Sequence, residues 1–448
     1  MNRAVQDRLE TGQAAAAQPT RTRWTMLAWL CSFAAVTYIG RIGIIQVEAP
    51  IQRDLHLTPV ELGYAFAAFS LAYALVEVPS GWLGDKIGPR KVLIRIALFW
   101  IAFTALTGLA WGLISLVVFR FFFGTGEAGA FPNIGRASRE WFPFRERGFA
   151  QGMVWLSARW GGAVAPLIML VLAYPFGWRG GFVLMALIGI AWLWGFRSRY
   201  KDTPRQHLAV NAAELAVINE GRSEPAAPPP LSWATMLRSP TLWFLSLMYF
   251  CSNAGWSFFA SWITPYLRTG LHFSGVKLGL ASGGPLFVGG IACLLGGFFT
   301  DRQVRVWGRR WGRTLQGFVG YALAGLFMLA GIALSGRHPL YAFAMVCVSS
   351  FVKDFGIAAS WAVTIDVGQR YSGTVGGFMN TVGNLAQVIS VPLVALLATW
   401  AGRPGHPNWN VSLYYYAAMF FAASIAWLFV DPRRVIVHRA AAQHEFRF

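Results

Sequence analysis

The chain reads as an all-α membrane protein with twelve transmembrane helices in two pseudo-symmetric six-helix bundles. Three observations predict this. Of the 448 residues, 56% are hydrophobic and 13% charged, whereas a soluble domain carries about 25% charged residues. The charges gather in short clusters between apolar runs of roughly 20 residues, the length that crosses a bilayer as helix. The two halves also echo each other about a hydrophilic segment, 199–238, that contains KDTPRQHLAV, EGRSEP and AAPPP.

The expected spans are 24–48, 61–82, 91–111, 113–134, 149–173 and 180–197, then 241–263, 276–300, 315–335, 339–364, 374–399 and 411–430. Residues 1–23 form an N-terminal tail with no apolar core of the kind a signal peptide needs. Residues 24–198 and 239–430 form the bundles, 199–238 the linker and 431–448 the C-terminal tail. An even number of spans puts both tails on one side of the membrane. Twenty-eight Lys and Arg lie in the tails and the loops on their side, against six in the opposite loops. That excess marks tails and linker as cytoplasmic. It also accounts for the net charge of +19 without nucleic acid.

Other chemistries find no support. Cys31, Cys251, Cys293 and Cys347 lie in apolar runs without metal-ligand spacing, and all seven histidines fall in loops or tails. No nucleophile is paired with a base, so neither an enzyme nor a metal or organic cofactor is expected. GTGEAG (124–129) spells G-x-G-x-x-G, but a dinucleotide fingerprint follows a strand. Here the glycines lie inside an apolar run, where small residues let helices approach closely.

The charges inside the spans carry the functional reading. A charge at mid-bilayer costs roughly 2.5–3.5 kcal/mol on insertion scales, and such residues usually face a water-filled cavity. Arg120 and Glu127, seven apart, share a helix face about 10 Å apart along the axis; a structural ion pair is the alternative. Arg41 lies two-thirds of the way along the first span. Its guanidinium suits a carboxylate bidentately, or it snorkels to the membrane surface. Arg159 either lines a cavity or pairs with an acid. Lys353 and Asp354 are neighbours in the tenth span and satisfy local partners, and Asp366 is structural.

Glu77 and Glu48 are further acids: Glu77 is open to packing hydrogen bonds or to proton coupling, and Glu48 to a solvated place at the periplasmic mouth or to proton coupling. Tyr38 and Asn380, then Tyr64, Tyr73, Asn253, Trp256, Trp361 and Asn384, offer donors and ring faces for a polyol. Ordinary helix hydrogen bonds and aromatic belts are the alternative. PSGWLGDKIGPRK (79–91) and CLLGGFFTDRQVRVWGRRWGR (293–313) put Asp85 and Asp301 at equivalent places in the two halves. A repeat with the same topology implies a site between the halves near mid-membrane.

GWLGDKIGPRK resembles the loop signature of the major facilitator superfamily, Gly-x-x-x-Asp-(Arg/Lys)-x-Gly-x-(Arg/Lys). RFFFGTGEAGAFPNIGRASREWFPFRERGFAQG resembles that family's anion:cation symporter branch, and YIGRIGIIQVEAPI, GWRGGF and GFMNTVGNLAQVISVP are similar to further stretches of it. The resemblance covers nearly all of 24–430. It implies a monomeric secondary transporter in a bacterial inner membrane. The cargo would be a small organic anion, a sugar acid such as a hexonate or hexuronate, moved by proton-coupled symport with alternating access. It implies substrate binding by Arg41, Arg120, Tyr38 and Asn380, proton coupling by Glu127 and Glu77, and a conformational gate at Asp85, Lys86 and Arg90. Where sugar-acid members of the branch usually have an aspartate before the first-helix arginine, this chain has Gly40. A proton-driven exporter of a drug or metabolite and a non-transporting receptor are the other readings.

Overall fold

The computed structural model describes residues 18–220, 231–403 and 407–435. Helices α1 (Thr22–Gly43), α2 (Pro59–Ile87), α3 (Pro89–Gly108), α4 (Leu113–Glu127), α5 (Arg147–Ala173) and α6 (Gly177–Arg199) form the first bundle. The second holds α7 (Pro240–Ser257), α8 and α9, α10 (Pro339–Phe355), α11 (Ser372–Trp400) and α12 (Trp409–Leu428). α8 and α9 are the arms of the helical stretch Gly275–Ser335, broken where Gly308 turns to φ 75° and ψ 173°. Nine helical stretches among the described residues are long and apolar enough to cross a membrane; Lys277–Ser335 and Pro339–Trp400 each hold two spans. α7, prolonged by π-helical turns at Phe258–Trp262 and Tyr266–Gly270, completes twelve.

Local sequence sets where these helices start. α2, α3, α7 and α10 each begin with proline at the first helical position. There the missing N–H costs nothing and the fixed φ suits the helix. Thr58 and Glu61 add a capping box to α2: Glu61 N–H donates to Thr58 Oγ1 at 3.3 Å and Thr58 N–H to Glu61 Oε2 at 2.8 Å.

The fourth span departs from expectation. The apolar pattern predicts one helix over 113–134, but α4 stops at Glu127 and helix resumes over Ala130–Trp141. Ala128 is extended (ψ 134°) and Gly129 left-handed (φ 85°). A Cβ on Gly129 would also lie 2.3 Å from Ser80 Oγ. The break leaves Glu127 at the negative end of its helix dipole.

Two of the junctions between the halves are copies of one design. Asp85, near the end of α2, accepts from Gly373 N–H at 3.0 Å and Thr374 N–H at 2.6 Å, the first turn of α11. Asp301, near the end of α8, accepts from Gly148 N–H at 3.0 Å and Phe149 N–H at 2.7 Å, the first turn of α5. Each carboxylate satisfies N–H groups that a helix start leaves without intrahelical partners, and sits at the positive end of the dipole. The backbones beside them are close enough to exclude side chains. A Cβ on Gly81 would lie 2.2 Å from Gly373 O, and one on Gly297 would lie 2.3 Å from Gly148 O.

Arginines reinforce both junctions. Arg136 Nε is 3.5 Å from Asp85, Arg313 Nη1 is 3.1 Å from Asp301, and Arg147 Nη1 is 3.1 Å from Asp366. The expected grouping of Asp85 with Lys86 and Arg90 does not form. Lys86, one residue further round α2, is exposed, with its ammonium 5.0 Å from the Trp82 ring. Arg90 Nη2 donates to Arg197 O at 2.6 Å. The helix turns about 100° per residue, so Asp85 faces the other half and Lys86 does not.

A third carboxylate repeats the device within the first half. Glu214, on a linker helix over Ala212–Asn219, is fully buried and accepts from Thr22 N–H at 2.8 Å and Arg23 N–H at 3.0 Å at the start of α1.

Candidate functional site

Between the halves lies a cavity lined from α1, α2, α5 and the Ala130–Trp141 segment on one side and from α7, α10, the helix Ile357–Gly368 and α11 on the other. One wall is aromatic: Phe131 stacks on Trp155 with centroids 4.5 Å apart. Another carries the amides Asn253, Asn380, Asn384 and Gln387. The charged lining residues are Arg41, Arg159 and Lys353, all cations; no carboxylate lines the cavity among the described residues.

Arg41 sits in the last turn of α1. Its guanidinium carbon is 4.5 Å from the Tyr73 ring centroid, 4.9 Å from Phe69 and 5.7 Å from Tyr38, and its Nε is 3.6 Å from Glu127 Oε1. Each cation–π contact offsets about 0.5–2 kcal/mol of the cost of holding that charge away from bulk water. Glu127 is 1% exposed. It borders a second, largely apolar void of ≈ 230 Å³ beside Thr37, Trp100 and Trp192 rather than the main cavity. Arg120 is 2% exposed and packs on Phe123 at 4.7 Å and on Phe69 at 5.1 Å, within electrostatic range of Glu127. It is not among the cavity-lining residues. The structure places the Arg120 head group behind the site, on the Phe69 and Phe123 rings.

Gly40, the position lacking an acid, is packed shut. A Cβ there would lie 2.0 Å from Trp100 Nε1. The α3 indole occupies the space that a side chain on Gly40 would fill.

Glu77 and Asn380 meet across the halves. Asn380 Nδ2 on α11 donates to Glu77 Oε1 on α2 at 2.8 Å, and Glu77 is fully buried. Asn380 also lines the cavity, so one side chain touches both the cavity and the contact between the halves. Tyr38, Tyr73, Asn253, Trp256 and Asn384 line the cavity as well. Trp361 lies beneath it, fully buried, and donates to Tyr249 Oη at 3.0 Å; Tyr64 is 58% exposed and lies elsewhere.

A second charged cluster closes the seam. Arg159 Nη2 on α5 donates to Asp354 Oδ1 on α10 at 3.1 Å, and Lys353 Nζ pairs with the same oxygen. The Arg159 guanidinium lies 3.5 Å from the Trp256 ring centroid on α7. Arg159 thus does both things the sequence left open: it lines the cavity and it pairs with an acid. Lys353 has its local partner in Asp354 but also faces the cavity, a role that sequence reasoning missed. The signal was present, since a lysine in an apolar helix calls for a reason. The pairing of its neighbour Asp354 with Arg159 of the other half has no trace in spacing.

Comparison with known proteins agrees in kind. A family model described as Major Facilitator Superfamily matches residues 28–391. The chain is 33% identical over 420 residues to the probable sulfoacetate transporter of Cupriavidus necator, covering 93% of this chain and 95% of that one. It is 29% identical over 430 residues to the probable galactarate/D-glucarate transporter of Escherichia coli (91% and 94% covered). To the hexuronate transporter of Bacillus subtilis it is 27% identical over 388 residues (86% and 90% covered).

Proposed function

From the premise that this chain belongs to the major facilitator superfamily, and is thus a multi-pass membrane transporter and not an enzyme, we propose that it carries a small organic anion of the sugar-acid class by proton-coupled symport. The observation that carries this reading is the cavity lined by Arg41, Arg159 and Lys353 with their carboxylates held outside it. Such a lining attracts anions and repels cationic drugs. The relatives named for sulfoacetate, galactarate or glucarate, and hexuronate point to the same class of cargo.

In this mechanism Arg41 grips the cargo carboxylate, with Tyr38 and Asn380 on its hydroxyls. Glu127 competes with the cargo for Arg41, to which it lies 3.6 Å away. Protonation of Glu127 releases the guanidinium to the anion, and deprotonation on the other side takes it back. Arg120 supports Glu127 rather than touching cargo. Glu77 reports cargo binding at Asn380 to the seam and serves as the second acid in place of one at Gly40. Alternating access follows from the Asp85 and Asp301 junctions. They hold one face of the bundle shut, the cytoplasmic face by the distribution of Lys and Arg, and part when the halves rock. Both termini are then cytoplasmic, in a bacterial inner membrane, with the monomer as the working unit.

Purified protein in proteoliposomes tests this. An inward acid gradient should drive accumulation of a labelled sugar acid above its external concentration, and a protonophore should remove it. Accumulation indifferent to the gradient would overturn the symport. Gradient-driven efflux of cations instead would favour an exporter.

A further inference from the structure

We propose that the cavity is built for a cargo with two acidic groups, the second held by Arg159 and Lys353 across the seam. This rests on the anion-transport reading above and narrows it to diacids such as aldarates and sulfocarboxylates.

The charges divide into two poles. At one, Arg41 pairs with Glu127, and Glu77 lies within electrostatic range of the same guanidinium. At the other, Arg159 and Lys353 both pair with Asp354. The seam pole has two cations about one carboxylate, so it keeps one positive charge that its own acid does not offset. A monoanion on Arg41 leaves the seam pole as it was. Only a cargo with a second acidic group satisfies both.

The donors of the seam pole are free to serve it. Arg159 is 3% exposed, lines the cavity and gives Nη2 to Asp354, while its Nε has no partner among the described residues. A guanidinium carries five donors in a fixed fork, and the one hydrogen bond to Asp354 leaves Arg159, at the cavity wall, with donors for a further anion. Lys353 is 1% exposed and faces the same space. The Trp256 ring, 3.5 Å from the Arg159 guanidinium carbon and 5.4 Å from Lys353 Nζ, holds both cations in place without offering an acceptor. The span between the poles is walled by Tyr38, Phe131 and Trp155. They give a carbon skeleton a surface to lie on and neither acidic group a reason to stop halfway.

Two matched pairs of probes test the proposal: D-gluconate against D-glucarate, and acetate against sulfoacetate. Each pair differs by one acidic group. Isothermal titration of the purified full-length protein should show the diacid of at least one pair binding about tenfold or more tightly than its monoacid, the scale of one charge-assisted hydrogen bond. Lys353→Met leaves Asp354 with its arginine. It should weaken the diacid about tenfold more than the monoacid, bringing the two close together. Asp354→Asn removes the competing carboxylate and should tighten the diacid several-fold.

Equal affinity within both pairs, or a Lys353→Met variant that weakens both members alike, would overturn the two-pole site while leaving anion transport standing. Binding of none of the four probes by protein with an intact thermal transition would overturn both readings.

Discussion

The cluster around Glu127 and the cluster around Asp354 are alike in composition and opposite in placement. Arg41, Arg120 and Glu127 come from α1 and α4, within the first half. Arg159 comes from α5 of the first half, while Lys353 and Asp354 come from α10 of the second. When two rigid halves rock, distances within one half persist and distances across the seam change. On the proposed mechanism the Glu127 cluster keeps one geometry through a cycle, which suits an acid that pairs with and releases the same arginine each time. The Asp354 cluster would be parted and remade as the halves move, which suits a sensor of cargo. Both clusters carry a cost: removing one partner of a buried ion pair leaves an uncompensated charge and costs about 3–5 kcal/mol, which a bound anion offsets where the lost partner is the carboxylate.

The largest test of this contrast is Glu127→Gln. It keeps the shape and removes the exchangeable proton, so uphill uptake in an acid gradient should fall to background while cargo exchange across the membrane continues. Gradient-driven accumulation at wild-type levels would place the coupling elsewhere.

Arg41→Lys comes next. A point charge cannot reproduce a guanidinium fork that also lies against three rings, and affinity for a sugar acid should fall about ten- to a hundredfold. The same exchange at Arg120, whose head group packs on Phe69 and Phe123 outside the lining, should move affinity far less. Equilibrium binding of the two variants compares them directly.

The smallest effect concerns stability. Gly40→Asp forces a side chain into the Trp100 indole and should destabilise by about 1–3 kcal/mol, the usual cost of overpacking. Pairing it with Trp100→Ala should recover much of that loss in a chemical melt.

Much of this was legible in sequence, and the limit is physical. Charges inside apolar helices announce themselves by their cost, so Arg41, Arg120, Glu127 and Arg159 stood out. Asp85 and Asp301 stood out because a duplicated chain repeats its loops. What eluded sequence was direction and partnership. Arg120 shares a helix face with Glu127 by spacing, yet whether that face meets water or Phe69 depends on where α2 packs. Asp85 looked like a partner for Lys86 and Arg90 because they are neighbours in the chain. Besides Arg136, its partners are the Thr374 hydroxyl and two backbone N–H groups of α11, nearly three hundred positions on, and no side-chain type advertises the backbone groups. The break at Ala128–Gly129 is made of residues that a packed helix also uses, so the pattern read straight through it. The space at Gly40 gave no hint that a tryptophan filled it.

The paired carboxylate caps have a mechanical consequence. Asp85 belongs to the first half and grips a helix of the second; Asp301 belongs to the second and grips a helix of the first. Two latches of opposite polarity act in parallel on one face, and neither half can swing free while either holds. On the proposed rocking of the halves, both caps would have to part together, and weakening one would ease opening only in part. Each half is held by an ordinary helix cap that the other supplies.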